Sequence, residues 1–304
     1  MRALIPSLLV LSSLAALSAP SPVRLRPQAP PRQTVRFAVT DIVGLEQLQS
    51  DYGRFVEVLQ KATGFTVEFY PVTSRPAAAE ALKYKRVDFV LGGPAEYVVM
   101  RKRADARPVV GFSRPDYFAQ VIVKADSDVQ EAKDLKGKKV AFSTVGSTSG
   151  HLGPMQLLAD SGVDPQKDIE AVNLQAPVGL EALKRGDVQA LGLGSEKFAL
   201  VREADEKRGG PPAGAYRVIL RGRDFPNDVL MAGAHVDDAT IAAVRKAFVD
   251  NSDEMVAAVM VGATTKKKYA GMRFLPTVKD SDYDYVRRMY RTAGYPEYSE
   301  FLEK

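Results

Sequence analysis

Past residue 33 the chain switches repeatedly between a two-residue and a 3.6-residue hydrophobic period. Val35, Phe37 and Val39 lie on one face of a predicted strand, with Arg36 and Ala38 on the other. Phe55, Val56, Leu59 and Ala62 share one face of a helix predicted over residues 52–62 and stopped at Gly64. The same reading predicts strands over 65–70, 87–91 and 108–112, with helices over 76–84 and 94–103 between them. A second run of this kind starts near Tyr117. Its strands fall at 119–123, 140–142, 169–174 and 188–193, and its helices at 155–161 and 178–185. Residues 216–220 and 229–234 read as strands returning to the first run, and the tail reads as helical over 239–261 and 281–292. This rhythm predicts an α/β protein with two lobes, each a mostly parallel sheet flanked by helices. Two crossing strands, the first at 119–123, join lobe 1 (residues 34–118 and 225–304) to lobe 2 (residues 119–224) and leave a cleft between them. Open α/β sheets bind ligands beyond the carboxyl ends of their strands. The loops at Asp41, Thr73-Ser74, Gly93-Pro94, residues 146–151, Ser195-Glu196 and Asn227-Asp228 all fall there.

Among these loops, Gly146-Ser147-Thr148-Ser149-Gly150-His151 has the most pointed chemistry. It joins a predicted strand to a predicted helix, and a helix start carries unpaired N–H groups and about half a positive charge. Three hydroxyls and a flanking glycine let an anion collect side-chain and backbone donors together. The plain alternative is a Ser or Thr that only caps the helix. His151 reads as a donor to the anion or as a surface histidine, and His235, the only other histidine, as structural.

The first 33 residues stand apart. An apolar run from Ala3 to Leu17 behind Met1-Arg2, with small residues near Ser18, predicts a signal peptide over residues 1–18. Five prolines then mark residues 19–33 as an extended tether. The chain has no cysteine, which excludes disulfides, thiolate metal sites and a lipidated cysteine, and so predicts a free periplasmic protein. Its net charge of +5 is spread along the sequence, which favours a small anionic ligand over nucleic acid. The densest basic cluster, Lys266-Lys267-Lys268, reads as a solvated face. No cofactor or metal is called for, and the expected state is a monomer.

The block from Asp134-Leu135-Lys136-Gly137-Lys138-Lys139-Val140-Ala141-Phe142 to Ser147-Thr148-Ser149-Gly150 resembles the phosphate/phosphite/phosphonate-binding (PhnD-like) periplasmic proteins of ABC importers. Gly93-Pro94 with Tyr97, Ser195-Glu196 and Phe225-Pro226-Asn227-Asp228 extend the likeness from about Thr34 to the end. The resemblance implies a two-lobe, type II-like binding protein that closes on a phosphorus oxyanion and delivers it to a membrane permease. It implies that Ser147, Thr148 and Ser149 hold the oxyanion and that Tyr117 adds a hydroxyl; Gly150 reads as a backbone donor, and Tyr97 and Tyr117 each as a cleft-lining donor or a core aromatic. Glu196 and Asp228 stand where relatives that bind aminoalkyl phosphonates meet the amine. Two departures are visible. Ser74-Arg75 replaces an Asp-Tyr pair common in the family, and Ala176-Pro177-Val178 lacks a frequent histidine. Arg75 is therefore a candidate for a charge-assisted contact with the anion.

Two other classes compete. A ligand sensor for a membrane receptor would use the same closing lobes with a different partner. An exported serine hydrolase would use Ser147 or Ser149 as nucleophile, but the turn is no Gly-x-Ser-x-Gly elbow, since its centre is Thr148. No Gly-Lys-Ser/Thr follows the glycines either, so it is not a P-loop.

Overall fold

The computed structural model describes residues 32–40 and 44–300. The predicted signal peptide, nearly all of the tether, and Asp41 lie outside the described residues. The tether's last residue, Gln33, already belongs to the fold: its carbonyl accepts from the Thr66 N–H at 2.8 Å and its side chain donates to Thr240 at 2.9 Å.

In chain order the first stretch is β1 (Thr34–Val39), α1 (Leu45–Thr63), β2 (Thr66–Phe69), α2 (Arg75–Lys83), β3 (Phe89–Gly92), α3 (Pro94–Ala104) and β4 (Arg107–Phe112). The second is β5 (Phe118–Lys124), β6 (Lys139–Phe142), α4 (Gly153–Asp160), β7 (Glu170–Asn173), α5 (Ala176–Arg185), β8 (Ala190–Gly194), α6 (Ser195–Glu206) and β9 (Tyr216–Asp224). The chain closes with β10 (Asp228–Ala232), α7 (Asp238–Asp250), α8 (Ser252–Val259), α9 (Ala263–Lys268), β11 (Phe274–Leu275) and α10 (Asp284–Thr292). The strands form a six-stranded sheet, β11-β4-β10-β3-β1-β2, and a five-stranded sheet, β7-β6-β8-β5-β9, both flanked by helices.

Four strands of each sheet run in one direction, as the sequence reading expected, but β10 and β11 in the first and β5 in the second run against them, so both sheets are mixed. β1 pairs parallel with β2 and β3, and β6 parallel with β7 and β8. All pairings of β10, β11 and β5 are antiparallel. The physical reason is connectivity. β5 enters its sheet directly from the end of β4, and β10 re-enters the first sheet directly after β9, so each arrives against the direction of its neighbours. One correction concerns residues 216–220. They lie in β9, paired with β5 in the five-stranded sheet, and do not return to the first. Residues 119–123, expected to cross, lie inside β5, and the crossing is made by the short link between β4 and β5.

The helices form for the reasons the periodicity gave, with shifted ends. Leu48, Tyr52, Phe55, Val56 and Leu59 bury one face of α1, so the helix begins nearly two turns before the predicted start. Each such side chain contributes about 1.5–3 kcal/mol on full burial. They join Phe37, Phe112 and Phe248 in a core between the six-stranded sheet and α1, α7 and α8. The expected tail helix over 239–261 is two helices, because Asn251 breaks it. A second core runs continuously from the other face of the six-stranded sheet (Ala38, Val90, Met231) to the five-stranded sheet (Val121, Val140, Phe142). Val286, Met289 and Tyr290 of α10 sit in that shared core, and Thr292 of the same helix donates to Gln156 of α4 at 2.7 Å. Among the described residues no helix is long and apolar enough to cross a membrane.

Candidate functional site

Strand ends from both sheets meet at one place. β3 ends at Gly92, paired with Val229, and Asp228 pairs with Phe112 at the end of β4. β8 ends at Gly194, opposite Ala119 of β5. Around these ends lies a cavity of about 560 Å³. It is lined by Gly93 and Glu96 of the α3 start, Gly194, Glu196 and Lys197 of the α6 start, Ser147–Ser149, and Arg75, Arg114, Tyr117, Lys267 and Lys268. Neither Gly93 nor Gly194, the residues preceding α3 and α6, has a side-chain cap. The dipoles of both helices therefore bear on the cavity with their positive ends. Five cationic and two acidic side chains line it.

The serine turn follows β6. Ser147 stands before a single π-turn, Thr148–Leu152, that leads into α4. Such widened turns recur at functional sites. Gly146 takes a positive φ of 79° to enter it. Ser147 Oγ accepts from the Gly150 N–H at 3.2 Å, which leaves its own hydrogen to donate elsewhere. Ser149 lines the cavity, and its hydroxyl has no hydrogen-bond partner among the described residues. Thr148 is otherwise engaged. Its Oγ1 accepts from the Ala95 N–H in the first turn of α3 at 3.0 Å. Thr148 thus ties a turn of one sheet to a helix of the other.

Gly150 and His151 do not line the cavity. The Gly150 N–H is taken by Ser147, and a Cβ there would stand 2.5 Å from Ser143 Cβ, so the glycine serves close packing. His151 is 3% exposed, edge-on to Phe142 and Tyr295, with Nδ1 accepting from the Gly146 N–H at 3.4 Å. Burial lowers its pKa to about 4, so the ring is neutral near pH 7. Tyr97 is likewise a core aromatic. It packs on Tyr283 and donates to Asp280 at 2.9 Å, away from the cavity. Gly150 and His151 depart from the donor roles expected for them, because the glycine amide is taken within the turn and the imidazole packs into the core, while Tyr97 follows the core-aromatic alternative.

The charged half of the site turns on Arg114, which sequence reading passed over. It sits in the crossing between β4 and β5, with its ring-facing guanidinium 3.5 Å from the Tyr117 centroid. Nη2 donates to Glu196 at 2.7 Å and Nη1 to Asp228 at 3.2 Å. Burial works against its charge, but Asp228, Tyr117 and Glu196 outweigh it and hold the group well above the usual arginine range. Asp228 is completely buried and does not line the cavity. Its second oxygen accepts from Lys268 Nζ and from the Tyr269 hydroxyl, each at 2.8 Å. Lys268 is therefore no part of a solvated face; Lys266 and Lys267 are exposed as expected, with Lys267 at the rim of the cavity. Arg75 does line the cavity, but its Nε lies against the buried Glu96 carboxylate. A cation two residues after a strand end, next to a pre-β5 tyrosine, was the one signal that pointed to Arg114. Nothing local pointed to Glu96. Among the described residues no cluster of His, Cys, Asp and Glu is arranged to hold a metal ion.

Two mixed sheets flanked by helices, with an anion-suited cavity at their strand ends, define the class: a binding protein of the periplasmic type. A family model described as the phosphonate periplasmic substrate-binding proteins of ABC transporters matches residues 37–297, and the chain belongs to that family. It is 30% identical over 138 residues to the phosphate-import protein PhnD of Mycolicibacterium smegmatis, spanning 43% of this chain and 43% of that relative's length. Its fold is similar to a binding-protein component of an ABC phosphonate transporter from Pseudomonas aeruginosa (TM-score 0.65, 17% identity, 86% of this chain and 87% of that one). It is also similar to PhnD1 of Prochlorococcus marinus in complex with methylphosphonate (TM-score 0.65, 15% identity, 86% and 99%).

Proposed function

We propose that this protein is the exported capture component of an ABC importer for a phosphorus oxyanion: phosphonate, phosphite or phosphate. Two lobes, residues 34–118 with 225–304 and residues 119–224, close on the anion between them. Ser147 and Ser149 donate to its oxygens, and the amides at the start of α6 complete the shell, with the positive end of the α3 dipole and Tyr117 behind them. The observation that carries this reading is the Ser147–Ser149 turn opening into a cavity at two helix starts, α3 and α6. Closure turns ligand identity into a shape that a permease reads, with no covalent step. The protein acts as a monomer in the periplasm.

A binding role rather than hydrolysis is supported by the placement of His151. The nearest histidine to the serines is buried, neutral and turned away from the cavity, so it gives neither hydroxyl a general base. The test is a thermal-shift panel with phosphate, phosphite, methylphosphonate, sulfate and several amino acids. A ligand at a hundred times its dissociation constant stabilises the fold by about 2.7 kcal/mol. A shift with a phosphorus oxyanion and none with sulfate is the expected result. Shifts only with amino acids, or with none of these, overturn the reading.

A further inference from the structure

Among the described residues, every carboxylate at the cavity or directly behind it is already held by a cation of the chain. Glu96 lies against Arg75. Arg114 donates to Glu196 at 2.7 Å and to Asp228 at 3.2 Å, while Lys268 takes the other Asp228 oxygen at 2.8 Å. Among the described residues three acids face three bases, which leaves none of these carboxylates free to receive an ammonium group. The charge left over is positive: among the described residues Lys197 and Lys267 line the cavity without an ion pair. Arg114 is held in place, because its side chain is 10% exposed and its guanidinium is stacked on Tyr117. At about 560 Å³ the cavity has room for a substituent on phosphorus, so rejection of an amine there is electrostatic and not steric.

We propose that Arg114 sets the substrate class by neutralising Glu196 and Asp228 from inside, reserving the site for phosphorus oxyanions whose substituent carries no positive charge. This rests on the oxyanion reading above. An ammonium ligand would have to pull Glu196 off Arg114 or sit unpaired among cations, and either arrangement weakens binding relative to an uncharged isostere.

Calorimetric titration of the full chain with propylphosphonate and 2-aminoethylphosphonate tests this, because the two differ by a methyl against an ammonium. Inorganic phosphate and phosphite serve as companions. The expected result is binding of propylphosphonate at least tenfold tighter than the amine, with the gap narrowing at least fivefold in Arg114→Gln. Arg114→Lys keeps a cation for the buried Asp228 and gives the same readout if the first variant does not fold. Equal or tighter binding of the amine by the wild-type chain overturns the proposal. A tenfold preference that neither variant narrows overturns the role of Arg114. Silence with every phosphorus compound, phosphate and phosphite included, overturns the oxyanion reading itself.

Discussion

One part of the cavity, the turn at residues 147–149, offers hydroxyls and no charge; another, the set Arg75, Glu96, Arg114, Asp228 and Lys268, is built of charge that satisfies itself. In the turn, Ser147 and Ser149 keep donors to spare. In the charged set, Arg114 reaches from the six-stranded sheet's Asp228 to Glu196 at the end of the five-stranded sheet through Nη1 and Nη2, while its buried Nε–H has no partner among the described residues. The difference teaches that charge near a binding cavity is not the same as charge available to a ligand. Hydroxyls decide what is held, and the ion network decides where the walls stand.

Breaking each part should therefore cost different things. The largest effect is expected from Arg114→Ala, which strips a buried carboxylate of a partner. Loss of one member of a buried pair costs about 3–5 kcal/mol, read as a fall in the denaturation midpoint without ligand. A smaller change would mean that Lys268 and Tyr269 alone suffice for Asp228. The second test puts charge into the uncharged turn. Burial lowers the His151 pKa from 6.5 to about 4, so between those values the unfolded chain binds a proton that the folded chain does not. Stability is then full above about pH 6.5 and is lost as pH falls toward 4, by up to about 3 kcal/mol. His151→Leu should flatten that part of the pH–stability curve, and an unchanged slope would show that the ring does not drive it.

Ser149→Ala should act on affinity alone. A hydrogen bond to a charged group contributes about 1.5–3 kcal/mol, so binding should weaken roughly ten- to hundredfold, by calorimetry, while the melting temperature without ligand holds. Gly150→Ala sharpens the contrast from the other side. Its added Cβ would stand 2.5 Å from Ser143 Cβ, and such overpacking costs about 1–3 kcal/mol. Both stability and affinity should fall, since the turn itself must shift.

The sequence pattern reached the strands and helices because their burial follows a local period, as in α1, where Phe55, Val56 and Leu59 face the core. It reached the serine turn because the chemistry there is contiguous. Sheet direction was beyond it: whether β5 and β10 run with or against their neighbours depends on which sheet each enters, and no local pattern records that. The ion network was hidden for the same reason. Arg114, Glu196, Asp228 and Lys268 are far apart in the chain, and each alone reads as an ordinary loop or helix-end charge. His151 misled because its neighbours in sequence face the cavity while its own side chain turns into the core.

The most direct test of the central claim is a crystal structure with the tightest-binding phosphorus oxyanion of the panel. The account predicts the phosphorus between the Ser147–Ser149 turn and the starts of α3 and α6, with both serine hydroxyls in hydrogen-bond reach and Arg114 still joined to Glu196 and Asp228. A ligand bound elsewhere, with neither serine touching it, would contradict it.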